Sequence, residues 1–600
     1  MSLSYERLDV VQVKDPLLIL KNKREYAVLD GGQQVSWKPY TTTSVSSSSI
    51  QFSTPPPSGA IVVNRKQYLL MPIRLTFTGN SPPLQNLLNP GTDAPRAYPL
   101  SSAIDVLQVT INNQGVSINL GDIIQGLLHF NTPECLSQLD FSMTPNLLDQ
   151  SQAYSQLNGT NRNPLAFYGD NLDQSMQGRG SFPFVIVQNT PTTAIVDMLV
   201  CEPIFLSPFY WGPFNQSGWY NVTTLDWNIT FFNQAGNRMW SHDAVSPPGT
   251  TITNISFSFN NFAPAFSFAI NQPFLLMQYV TPKALDLIPW NMPITYPYFE
   301  VLRFITDSQN VVAPGGTWNF VSNNIQLNSI PRRIYVWVRE RNSDLFSTCH
   351  NPDTYFSIEA PFSVQWENKN NLFSSATKFD LYKMSVKNHC NLSWTQWSGG
   401  PVYSTGSFTS RFGTVGSLIC FEFGTDIGLD SLDAPGKLKQ AMLQIQGVAT
   451  NISNRPITPS LYIVVVNEGT FTIEALGKAS TNIGVISSSD IMNAQQNPFI
   501  SYNDIQCVNG GNFLSGLKNF GEKLLTGIKD VSDLLKQTKA VSTVTGSIPH
   551  PTAQAISGVA RSLGYGQGGC EICETCRGKG CLGCRAGAEL SRKELRKRMR

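Results

Sequence analysis

Apolar and polar residues alternate in short runs over most of this chain, and a period of two confines such runs to strands with one buried face. Ile73, Leu75 and Phe77 alternate with Arg74, Thr76 and Thr78. Leu107, Val109 and Ile111 do the same, and Asn113-Gln114-Gly115 then turns the chain into Val116, Ile118 and Leu120, which reads as a hairpin. Further strands are expected within 182–206, 222–233 and 251–260, the last with Ile255, Phe257 and Phe259 facing one way. A second series starts near Phe266 and takes in Tyr298 to Ile305, Ile334 to Val338, Leu418 to Phe423 and Leu461 to Val466. Each is short, apolar and bounded by turn residues.

Two consecutive sets of about eight strands, each a little over 200 residues long, fit two β-sandwiches of jelly-roll type better than one very large sheet. The fold class expected is all-β, two jelly rolls in tandem, followed by a helical, Cys-rich, basic tail. Thr41 to Ile50 is a Ser/Thr run and Pro55-Pro56-Pro57 follows it, so residues 1–58 read as an extended N-terminal arm. The first roll is then expected over 59–265 and the second over 266–500. A linker over 501–511 and a tail over 512–600 complete the division.

Only 14% of the 600 residues are charged, against roughly 25% in ordinary soluble domains. A surface so short of charge tends to associate, which points to a protein that buries much of its exterior against copies of itself. No apolar run approaches the ~18 residues of a membrane span, and the start, Met1-Ser2-Leu3-Ser4-Tyr5-Glu6-Arg7, has no basic region leading into an apolar block. A non-secretory protein is expected. The charge is also divided: 15 of the 43 Lys and Arg but 7 of the 41 Asp and Glu follow Gly511, giving the tail +8 and the rest −6. The tail is the part suited to an anionic partner, nucleic acid or lipid.

The border itself is Gly510-Gly511, and a double glycine between two such objects is accessible to proteases. Beyond it Phe513, Leu517, Phe520, Leu524, Ile528, Val531 and Leu535 recur at steps of four and three, an amphipathic helix. Glycines at 516, 521 and 527 weaken it, so it needs a surface to fold against. Cys570, Cys573, Cys576, Cys581 and Cys584 follow with Cys-x-x-Cys spacings, and in a reducing compartment two such knuckles close a tetrahedral thiolate site for zinc. Disulfides or unliganded thiols are the alternative. Cys573 to Gly580 resembles one zinc-ribbon repeat of the DnaJ type. The end of the chain, Arg592, Lys593, Arg596, Lys597, Arg598 and Arg600, suits phosphate contact without base readout; a localisation signal or a solvated helix end competes with that reading.

Other motifs carry less. Gly564-Tyr565-Gly566-Gln567-Gly568-Gly569 matches the dinucleotide fingerprint by letter, but no strand precedes it and no helix opens from it. Asp426, Asp430 and Asp433 could gather on calcium, although a loop rich in Asp and Gly needs no metal. Cys349-His350 and His389-Cys390 would make a zinc quartet if the fold brought them together, with buried thiols as the plainer reading. Neither a nucleophile with its base nor a pair of carboxylates stands out, so no catalytic residue is named and an enzyme is not expected.

The order of Ile330-Pro331-Arg332-Arg333-Ile334-Tyr335-Val336-Trp337-Val338, Gly424 to Gly428, Ala434-Pro435-Gly436 and Val466 to Ile473 resembles the second roll of double jelly-roll major capsid proteins, those of virophages and Polinton-type elements among them. The resemblance extends over about residues 60–500. It implies a homotrimer whose six rolls make a pseudo-hexagonal capsomer in an icosahedral virion, neighbouring capsomers and a penton protein as partners, and no cofactor in the shell. The stretch Gly510 to Gly521 resembles the adenovirus membrane-lytic minor capsid protein where a viral cysteine protease frees an amphipathic helix. By that likeness Val508, Gly510, Gly511 and Asn512 form a processing site, with Val508 where Met, Ile or Leu is usual, and the tail assists assembly against capsid, genomic DNA or membrane. A non-viral carbohydrate-binding or adhesive β-sandwich is the alternative, which a secretory signal or a disulfide-friendly context would favour.

Overall fold

The computed structural model describes residues 32–495 apart from several internal stretches, the longest being 131–143, 146–183 and 342–354. The principal strands of the first half are β1 (Gly32–Thr41), β2 (Ser49–Ser53), β3 (Tyr68–Asn80), β4 (Ile104–Ile111), β5 (Gln114–Ile118), β6 (Phe184–Asn189), β7 (Thr193–Pro203), β8 (Leu225–Phe231), β9 (Thr251–Ser258) and β10 (Phe274–Pro282). Those of the second half are β11 (Ile294–Asp307), β12 (Thr317–Val321), β13 (Ile325–Ser329), β14 (Arg333–Glu340), β15 (Ser357–Trp366), β16 (Lys369–Leu372), β17 (Ile419–Glu422), β18 (Leu438–Thr450), β19 (Pro459–Ile473) and β20 (Ala479–Ile483).

One sheet of the first half runs β1-β10-β3-β7-β6, with β9 also on β3, and the facing sheet runs β2-β8-β4-β5. In the second half the sheets are β11-β19-β14-β17, with β20 on β19, and β12-β18-β15-β16, with β13 on β18. Setting β6, β9, β13 and β20 aside leaves eight strands per half, and both halves then read alike. One sheet is first-eighth-third-sixth and the other second-seventh-fourth-fifth, the double Greek key of a jelly roll. The pairings used are all antiparallel.

Two expected boundaries move. Residues 32–53 are not an arm, since they supply the first and second strands of roll one. Ser49-Ile50-Gln51-Phe52-Ser53 hides a period of two inside a serine-rich run, with Ile50 and Phe52 buried, and the Tyr40 hydroxyl meets that of Tyr279 at 2.8 Å. The division at 265/266 also fails, because β10 is the eighth strand of roll one, paired with β1 and β3, and roll two begins at Ile294. The hairpin expected after Ile111 is present, but it turns at Asn112-Asn113. Both residues have positive φ, 47° and 69°, as a two-residue type I′ turn requires and as asparagine tolerates.

Inward-facing residues of all four sheets join one continuous core that runs through both rolls, with Trp219, Trp227, Trp240, Trp337, Trp366 and Trp397 almost wholly enclosed. Three short helices matter below: α1 (Ile124–Leu128), which follows β5, and α2 (Lys378–Lys387) and α3 (Trp394–Ser398), which follow β16. Thr377 with Asp380, and Ser393 with Gln396, form reciprocal capping boxes that start α2 and α3.

Candidate functional site at the seam between the rolls

Every tail residue singled out above lies outside the described residues: the processing site at 508–512, the helix face from Phe513 to Leu535, the five cysteines from Cys570 and the basic end from Arg592. Cys349 and His350 lie outside them too. The site that the described residues build is the joint where roll one meets roll two.

In β14, alternation turns Ile334, Val336 and Val338 into the core and leaves Tyr335, Trp337 and Arg339 on the outer face of the sheet; Arg303 of β11 and Tyr462 of β19 share that face. The connection after β5 covers it. Gly126 of α1 lies flat on the Trp337 indole, where a Cβ would come within 3.0 Å of the ring. Phe130 meets Tyr335 edge-on at 4.7 Å, and Trp337 stacks on Tyr462 at 6.3 Å. Roll one also reaches across with Trp219, which stacks on Phe471 at 6.3 Å, while Gly218 accepts a hydrogen bond from the Tyr296 hydroxyl at 2.9 Å. The Phe299 amide donates to the Ser207 hydroxyl at 2.9 Å, and the Asn391 amide to the His129 carbonyl at 2.9 Å.

One carboxylate organises the charge in this seam. Asp122, fully buried, accepts from Arg238 of roll one at 3.1 Å and from Arg339 of roll two at 3.2 Å, and also pairs with Arg303 of roll two. Arg238 lies 3.5 Å from the Phe232 ring and Arg339 lies 4.5 Å from the Tyr462 ring, so both guanidinium planes are supported by aromatic faces. Burial, with Arg339 adding to it, pushes Arg238 down to about 9. Taking these ions out of water costs several kcal/mol each, so the cluster holds only while its geometry holds, which ties the orientation of one roll to the other.

A second cluster occupies the edge of roll two. Arg333 pairs with Glu422, and Arg332 lies 3.6 Å from Glu422 and 3.9 Å from Glu468. Burial alone would raise Glu422, but Arg333 and Arg332 outweigh it and hold the carboxyl at about 2. Glu468 goes the other way, up to about 7, because burial dominates. His389, beside them, is held down to about 4 by burial and by Arg333.

The calcium reading of Asp426, Asp430 and Asp433 is corrected by their partners. Lys387 meets Asp426 at 2.7 Å, Lys369 meets Asp430 at 3.4 Å, and Lys437 and Lys439 meet Asp433 at 2.9 and 2.6 Å. The three carboxylates close separate lysine bridges, and among the described residues no group of three or more His, Cys, Asp or Glu is placed to hold a metal. The Cys390 thiol is buried and pushed up to about 12, far from a thiolate. Sequence reasoning missed the seam. Its signal was faint: Arg303 interrupts Val301-Leu302 and Phe304-Ile305, and Arg339 follows the apolar run of β14.

Family models match twice along the chain, the first domain of the Sputnik virophage major capsid protein over residues 7–280 and the C-terminal domain of major capsid protein V20 over residues 301–469. The gap between the matches spans the connection from β10 to β11. The putative capsid protein V20 of Sputnik virophage is 35% identical over 614 residues, 100% of each chain. The 3.5 Å cryo-EM structure of Sputnik virophage contains a chain 35% identical with a TM-score of 0.71, matched over 84% of this chain and 98% of that one. The crystal structure of the mavirus major capsid protein, 14% identical over 80% and 97% of the two chains, shares the fold at a TM-score of 0.60. A relative this similar along the whole length, with both capsid domains matched in order on two jelly rolls, places the chain in a family of structural virion proteins: it belongs to the major capsid proteins of virophages.

Proposed function

We propose that three copies of this chain assemble into a pseudo-hexagonal capsomer that tiles an icosahedral shell, and that the tail assists assembly and is then removed. The observation that carries the first part is the repetition inside one chain. Two rolls of the same strand order share one core and a buried seam, so three chains supply six near-equivalent rigid bodies. Neighbouring capsomers meet through the long, weakly charged loops, and a penton protein fills the vertices. Native mass spectrometry of the full-length protein, read together with electron microscopy, tests this. A trimer with a hexagonal outline about 75 Å across is expected from two upright sandwiches per subunit at ~10 Å sheet spacing plus loops. A monomer at micromolar concentration overturns it.

The tail reading rests on the chemistry of its sequence. A viral cysteine protease needs extended backbone, which Gly510-Gly511 offers because neither residue has a Cβ. The position of Gly510-Gly511, between the strand-rich part of the sequence and the basic tail, supports removal after Gly511. Before cleavage the face from Phe513 to Leu535 docks beneath the trimer or at a bilayer interface, four of the five tail cysteines hold one zinc, and the arginines from Arg592 onward contact genomic DNA. The same native mass reads zinc bound to the full-length chain. Intact-mass measurement on purified particles is expected to give a chain ending at Gly511, and Gly511→Val to leave the tail attached. A full-length mass in particles overturns the processing.

A further inference from the structure

Roll two carries the tail, and its surface differs from that of roll one where the chain leaves it. β18 is the seventh strand of its roll. Its outward side chains, Leu438, Gln440, Met442, Gln444, Gln446 and Val448, include no charge, and Leu438 and Met442 stand 62% and 51% exposed. The seventh strand of roll one, β8, turns Asp226, Asn228 and Thr230 outward and exposes no large apolar side chain. The shared strand order does not require that difference. Single apolar residues on a surface are ordinary, whereas an uncharged stripe that repeats them along one face marks a surface to be covered.

The end of the described fold lies against this stripe. After β20 the Ile486 amide donates to the Gly436 carbonyl at 3.1 Å, and Ile486 forms a parallel bridge with Lys437, the residue before Leu438. A Cβ on Gly484 would come within 2.5 Å of the Leu438 side chain, so the outgoing chain touches the stripe itself, and Val485 beside it is 39% exposed. The chain then continues through a helix over Ser488–Gln495. At about 3.3 Å per residue, the stretch from Gln495 to Phe513 reaches up to ~60 Å, more than the ~43 Å length of β18. A helix from Phe513 to Leu535 is about 35 Å long, short enough to lie along that strand. Ions do not oppose the contact, because Lys437 and Lys439 beside the stripe are both closed on Asp433, at 2.9 and 2.6 Å.

We propose that, before the tail is removed, the helix face from Phe513 to Leu535 seats on the outer face of β18 of its own chain, over Leu438 and Met442. The proposal rests on the reading of the tail as an assembly aid and gives that tail its seat. The tether favours the chain's own helix over a free partner, since it makes docking unimolecular. Glycines at 516, 521 and 527 leave the helix in need of a surface, and the stripe supplies an apolar one at the point of departure.

Hydrogen exchange read by mass spectrometry on the full-length chain, made without the viral protease, tests it. Leu438→Asp with Met442→Asp is expected to speed exchange of the amides from Leu517 to Leu535 by about tenfold or more, with those of β19 unchanged. Equal exchange in parent and variant overturns the contact. Should faster exchange in β19 show that the variant has lost its fold, Met442→p-benzoylphenylalanine replaces it. Irradiation is then expected to give adducts within 513–535, and a mixture of isotopically light and heavy chains to show both ends in one chain. Adducts to other segments only, or to a second copy only, overturn the proposal. Vesicles of phosphatidylglycerol supply the last arm: protection of the helix that arises only in their presence assigns it to lipid and overturns the seat. These outcomes are separate from processing. Particles whose chains end at Gly511 leave the removal standing even where exchange is unchanged, and a full-length mass in particles strikes the removal and not the contact.

Discussion

Asp122→Ala is expected to lower the unfolding free energy by about 3–5 kcal/mol, the range for removing one partner of a buried ion cluster. The loss does not come from a missing attraction alone. Arg238 and Arg339 would stay buried with their charges facing one another, and only Arg303, whose side chain retains 22% exposure, can turn toward water. Asp122→Asn keeps the shape and a hydrogen-bond acceptor but removes the charge, so it should fall between the parent and alanine. Because Asp122 joins the rolls, the alanine variant should also unfold in two steps where the parent unfolds in one. Denaturant titration followed by near-ultraviolet circular dichroism reads both effects. A cost under about 1 kcal/mol with a single transition would mean that the seam is held by its aromatic contacts and not by its charge.

Stability should fall on acidification between pH 6.5 and 5, and Glu468→Gln should make that fall about three times as steep. Three groups set most of the slope, and Glu202, which burial also raises, adds to the opposing side. Burial holds His129 down to about 3 and His389 to about 4, so in this window each is neutral when folded and takes up a proton when unfolded. Glu468, raised to about 7, keeps its proton when folded and loses it when unfolded. The unfolded chain thus binds two protons that the native state lacks and gives up one that the native state holds. The net gain stays below one proton, because the unfolded histidines are only half protonated at pH 6.5, and it corresponds to about 1 kcal/mol over the window. Removing Glu468 removes most of the opposing uptake and gives about 3 kcal/mol. Glu422, held at about 2, adds its loss only below pH 4.5. Denaturant midpoints at pH 5 and 6.5 for parent and variant check this; equal slopes would show that Glu468 titrates in the folded protein as it does in the unfolded one.

The sheets were legible because period-two alternation survives wherever one face is core, as in β3, β4 and β9. Where both faces of a strand are covered the pattern fades. β14 is buried along its whole length and reads as an apolar run, so the second partner, roll one, left no periodic trace. The second strand was lost for a different reason: serine and threonine gave residues 41–50 the composition of an arm, although Ile50 and Phe52 carried the buried face. Charged seam residues were beyond reach. Asp122 meets Arg303 and Arg339 across some 180 to 220 residues of chain, and nothing local to any of them names its partner. Tail motifs gave the opposite situation, with clear spacings from Gly510 to Arg600 that lie outside the described residues.

About eleven residues join β10 to β11. That short tether makes the contact between two rolls of one chain a unimolecular event, set by an effective concentration and not by how much protein the host has made. If the six-roll ring is built from such chains, half of its contacts form during folding and only the other half depend on collision. A ring nucleus then grows with roughly the third power of protein concentration where six separate rolls would need about the sixth. The onset of shell growth shifts accordingly to lower protein levels and earlier times.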